Sequence, residues 1–60
     1  MNNPLLTAPE AAYLLGVRTT TIYAWASERK LPYVKIGGAL RFKLRDIEKL
    51  IKEGYHPALR

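Results

Sequence analysis

Cysteine is absent from the 60-residue chain, so neither a disulfide framework nor a thiolate zinc site can reinforce the fold. Histidine occurs once, at His56 near the C-terminal end, and no paired carboxylates converge from the predicted elements. The Gly37-Gly38 pair is not followed by the Gly-Lys-Ser/Thr of a phosphate loop. Catalytic residues, a metal site and a cofactor are therefore not expected. No apolar run approaches the roughly 20 residues of a membrane span. The opening MNNPLL lacks the basic and apolar regions of a signal peptide, so a cytoplasmic location is expected. With 60 residues the core is small, and every large apolar side chain, Trp25 included, is expected to be committed to it.

Acidic residues are also few: five against ten Lys and Arg, for a net charge of +5. Up to residue 45, Arg18, Arg29, Lys30, Lys35, Arg41, Lys43 and Arg45 face only Glu10 and Glu28, whereas residues 46–60 balance at three of each sign. A localised basic excess is the electrostatic footprint of a phosphate-backbone binder.

The basic part of the chain is organised around Thr7 to Arg29, which reads as two short helices joined by a tight corner. Thr7 and Glu10 have capping-box spacing, and Pro9 suits a first turn where its missing N–H is no loss. Ala11, Leu14 and Leu15 form the predicted apolar face of this helix. Gly16 stops it, with Val17 folding back on the Ala11-Ala12 turn. The next helical run starts within a few residues, which is helix-turn-helix geometry. From Thr19 to Glu28, Ile22, Trp25 and Ala26 form a core stripe, while Thr20, Tyr23, Ala24 and Ser27 repeat on the opposite face. A merely solvated face carries Glu and Lys; this small, hydrogen-bonding one suits close approach to a polar surface. The competing readings are threonines that only start a helix, and a Tyr23 ring packed on the core edge.

Leu31 and Pro32 break the second helix. Tyr33 to Ile36 and Leu40 to Phe42 then read as the strands of a β-hairpin turning at Gly37-Gly38. A two-residue loop would set Val34 opposite Arg41. A three-residue loop through Ala39 pairs Val34 with Phe42, Ile36 with Leu40 and Lys35 with Arg41, giving an apolar underside and a basic outer face, and is the preferred register. A third helix from Leu44 to Glu53, ended by Gly54, follows from Leu44, Ile47, Leu50 and Ile51. Met1 to Pro4 is expected to be a flexible N-terminus, residues 5–54 the folded domain, and residues 55–60 a flexible tail.

In this order the elements and their residues resemble the excisionase-like helix-turn-helix domains, relatives of the DNA-binding part of MerR regulators. The resemblance covers Leu5 to Ile51. It rests on Leu6-Thr7 and Glu10-Ala11-Ala12, Leu15-Gly16-Val17, Thr21-Ile22-Tyr23, Leu31-Pro32, Lys35-Ile36-Gly37, Arg41-Phe42 and Asp46-Ile47. It implies a mainly α winged helix-turn-helix fold with a small β-hairpin, whose second helix enters the major groove and whose wing lies over the adjacent minor groove. Arg18 stands where such domains commonly carry a capping Ser or Thr, leaving Thr19 to cap or Arg18 to reach a phosphate. Gly38 and Ala39 replace the usual basic wing tip, leaving the grip to Lys35 and Arg41.

The expected function is sequence-specific double-stranded DNA binding, as an excisionase-type recombination directionality factor or as a small transcriptional regulator. Arg18, Lys35, Arg41 and Lys43 are assigned to phosphates, and Thr20, Tyr23, Thr19 and Ser27 to base edges. No Arg, Asn or Gln projects from the second helix for a bidentate base contact, so modest specificity is expected, with an integrase or recombinase, or further copies of the chain on DNA, as partners. A protein-protein interaction module docking on an acidic partner is the rival reading. Large apolar residues on the second helix would favour it, and Thr, Ala and Ser do not.

Overall fold

The computed structural model describes residues 5–54, and the flexible end and tail expected for residues 1–4 and 55–60 lie outside the described residues. Six elements follow in order: β1 (Leu5–Leu6), α1 (Ala8–Leu15), α2 (Thr19–Ser27), β2 (Val34–Ile36), β3 (Ala39–Lys43) and α3 (Leu44–Lys52). Helix-turn-helix, wing and final helix form the expected winged helix-turn-helix, with one addition. The wing is part of a three-stranded antiparallel sheet in the order β1-β3-β2.

Helix α1 begins and ends on local chemistry. The Thr7 N–H donates to Glu10 Oε1 at 2.8 Å and the Glu10 N–H to Thr7 Oγ1 at 3.3 Å, which completes the capping box. At the other end Gly16 is left-handed (φ 71°), and the Val17 and Gly16 N–H groups donate to the Ala12 and Tyr13 carbonyls at 3.0 and 3.2 Å. This Schellman closure turns the chain toward α2. There Arg18 is the N-cap and makes no side-chain cap bond, and Thr19 is the first helical residue rather than a substitute cap.

The core is assembled from small residues on the helices and a few large ones. Ala8, Ala11 and Ala12 of α1, Ile22 and Ala26 of α2, Leu31, Phe42 and Ile47 are buried. Alanines at the helix contacts let the axes approach while Phe42 and Ile47 fill the centre. Ile22 and Ala26 are buried as the helical stripe predicts, but Trp25 is only half-buried against the cluster. Leu14 is a clearer correction, at 45% exposed. The inward stripe of α1 is Ala8, Ala11, Ala12 and Leu15, and Leu14 lies roughly 100° round the helix from its middle. Ile51 is likewise 55% exposed, whereas Leu50 beside it in the last turn of α3 packs against the core.

The hairpin register also differs from the expectation. Val34 pairs with Arg41, Lys35 with Leu40 and Ile36 with Ala39, across a two-residue Gly37-Gly38 turn. Gly37 is left-handed (φ 62°), the conformation that primed hairpin turns require of their first central residue. The expected three-residue register keeps Val34 from Arg41 by setting it opposite Phe42, but Phe42 pairs with Leu6 of β1 instead, since β3 is the central strand. With period-two alternation, Leu6, Lys35, Leu40 and Phe42 then share the inner face, and Leu5, Val34, Ile36, Ala39, Arg41 and Lys43 the outer one. The apolar underside with a basic outer face is thus overturned: Lys35 and Arg41 stand on opposite faces.

Candidate nucleic-acid interface

Helix α2 presents its outer face to solvent. Thr20, Tyr23, Ala24 and Ser27 are exposed, while Ile22 and Ala26 face the core. The 3.6-residue period puts these two sets on opposite sides. Tyr23 is 49% exposed, so its ring is not absorbed by the core edge. Thr19 is half-buried in the first turn, and Arg18 is exposed just before it.

Between α2 and the wing runs an open groove of about 320 Å³, lined by Tyr23, Ala26, Ser27, Tyr33, Lys35, Gly38 and Leu40. Its floor is Ala26 and Leu40, and its rim carries two phenols, one serine hydroxyl and one ammonium. These are donors suited to phosphate oxygens and base edges together with apolar surface suited to sugar and methyl groups. Lys35 reaches the groove because of the observed register: paired with Leu40, it lies on the Leu40 face of the hairpin, and both residues border the groove with Tyr23, Ala26 and Ser27 of α2.

Of the eight residues assigned from sequence, the fold brings Tyr23, Ser27 and Lys35 to this groove, with Thr20 beside them on the same α2 face. Arg18 and Thr19 sit at the N-terminal end of α2. Arg41 and Lys43 are on the outer sheet face, where one Arg41 guanidinium nitrogen donates to the Leu40 carbonyl at 2.8 Å and Lys43 is the exposed N-cap of α3.

Four lining residues were not among those assigned from sequence: Ala26 and Leu40 of the floor, and Tyr33 and Gly38. Tyr33, 48% exposed, stands two residues before Lys35. Period-two alternation would have put both on one face, a signal available in the sequence. Gly38 enters through the turn itself and carries no sequence signal for contact.

Among the described residues no helix is long and apolar enough to cross a membrane. The family model of a helix-turn-helix domain matches residues 5–55, from the first strand through all three helices. No curated protein and no solved structure matches the chain.

Proposed function

We propose, for a chain that belongs to the helix-turn-helix domain family, a DNA-binding family, that its ligand is duplex DNA held between α2 and the wing. The carrying observation is that the exposed Tyr23 and Ser27 of α2 and the wing's Lys35 line one groove. A B-form major groove is wide enough to admit α2, whose Thr20, Tyr23 and Ser27, with neighbouring Thr19, meet base edges. Lys35 and Arg18 take phosphates on either side, and Arg41 and Lys43 form a second, outer basic strip that adds to long-range attraction. Residues 5–54 form the binding unit.

Such a reader has hydroxyls and methyl contacts but no bidentate side chain, so discrimination is modest and the unit works beside further copies or a recombinase. The resemblance to excisionase-like domains supports an excisionase-type recombination directionality factor over an independent regulator. Selection of bound fragments from random duplexes separates the two: clustered direct repeats fit the first, isolated half-sites the second.

Titration of a random duplex at several salt concentrations tests the binding mode. With phosphate contacts from Lys35 and Arg18, log K falls against log salt with a slope of roughly 0.9 per contact. Affinity indifferent to salt would exclude it.

A further inference from the structure

Helices α1 and α2 close in the same way on different residues. At the end of α2 the Lys30 N–H donates to the Trp25 carbonyl at 2.8 Å and the Arg29 N–H to the Ala26 carbonyl at 3.1 Å, the bond pattern that Val17 and Gly16 make at the end of α1. The residue at the left-handed position is Gly16 in one case and Arg29 (φ 62°) in the other. Arg29 is the sole non-glycine with positive φ among the described residues. A Cβ in that region clashes with the backbone, which is why glycine is usual there. A residue held in a disfavoured conformation points to a role for its side chain.

The side chain is placed for one. Arg29 is exposed, and its guanidinium makes no hydrogen bond or ion pair among the described residues; the neighbouring Glu28 pairs instead with Lys30 at 3.2 Å. With Ala26, Leu31, Pro32 and Tyr33 it lines a second open hollow of about 410 Å³. Ala26 and Tyr33 border this hollow and the α2–wing groove alike, so the two adjoin at Tyr33.

We infer that Arg29 is a further DNA-contact residue: its guanidinium donates to a backbone phosphate where the duplex leaves the groove past Tyr33, and arginine stands at this left-handed position for that contact. The inference rests on the DNA-binding reading above and extends its surface beyond the eight residues assigned there. A local alternative is that the charge only complements the α2 C-terminal dipole. That role would act on stability and leave DNA affinity untouched.

Three variants, Arg29→Gly, Arg29→Ala and Arg29→Lys, are melted and titrated with a random duplex across a salt series. Gly and Ala both remove the charge, but only Gly relieves the backbone, so Arg29→Gly should melt above Arg29→Ala by about 4 to 8 °C. Both should bind on the order of five-fold more weakly at low salt and lose about one unit of salt slope, while Arg29→Lys keeps the slope. The inference is overturned if Arg29→Gly and Arg29→Ala keep the unmodified affinity and slope, or if Arg29→Lys loses the full unit. If the unmodified chain shows no salt-dependent duplex binding, the DNA-binding reading falls and takes this one with it. If it does and the variants match it, only the Arg29 assignment falls.

Discussion

The sheet carries basic residues on both faces, but in different surroundings. On the inner face Lys35 stands beside Tyr23, Ser27 and Tyr33 at the rim of the groove. On the outer face Arg41 and Lys43 stand among Leu5, Val34 and Ile36, and Arg41 spends a donor on the Leu40 carbonyl of its own strand. Charge is equal per residue, yet only Lys35 adjoins the hydroxyls able to read bases. Net charge therefore indicates a phosphate binder without saying which face carries the charge; strand register decides where each cation stands, because a slip of one residue moves every side chain to the other face.

Packing gives the largest test of this contrast. Phe42, fully buried on the inner face, becomes a cavity in Phe42→Ala, at about 3 to 5 kcal/mol, comparable with the whole stability of a domain this size. Its cooperative thermal transition should be lost. Ile36 on the outer face is 51% exposed, and Ile36→Ala should cost under about 1 kcal/mol. Equal losses in the two melts would mean that the outer face is also packed, and the two-faced description would fail.

Electrostatics gives the next. Lys35→Ala should lower the salt slope on random duplex by about one unit, and Arg41→Ala by clearly less. Circular dichroism before each titration checks that both variants stay folded. If the two slopes fall together, the duplex wraps the hairpin on both sides and the inner-face assignment is too narrow.

What the sequence revealed in advance divides along the same line. Thr7 with Glu10, Gly16 with Val17, and Ile22 with Ala26 act over three to five residues, so the helix pair could be read from spacing alone. The sheet could not, because Leu5 and Leu6 are too short a run to show alternation, and without them Phe42 had no visible partner outside the hairpin. The end of α2 was legible as well, since the helical run from Thr19 to Glu28 stops at the observed Glu28 C-cap; the left-handed turn at Arg29 was not, because it falls on an arginine rather than a glycine. At the site, the outward face of α2 follows from helical period, whereas the meeting of Lys35 with Tyr23 and Ser27 needed the register.

The smallest expected effect is the one that separates reading from gripping. Thr20 is exposed in the first turn of α2, on the same face as Tyr23 but outside the groove that Lys35 borders. Its hydroxyl can meet one base edge and its methyl one thymine methyl, and neither contact is bidentate. Thr20→Ala should therefore change discrimination at one or two base pairs by about 1 kcal/mol or less, a factor of roughly five, with little change on random duplex. Lys35→Ala should weaken preferred and random duplexes by the same factor, because a phosphate looks alike under every base. The measurement is a set of titrations on a selected site and its single-base variants, for both proteins at one salt concentration. If Thr20→Ala weakened every duplex equally while Lys35→Ala shifted base preference, the wing would be the reader and α2 the clamp, and the contrast between the two sheet faces would have to be drawn again with Lys35 on the reading side.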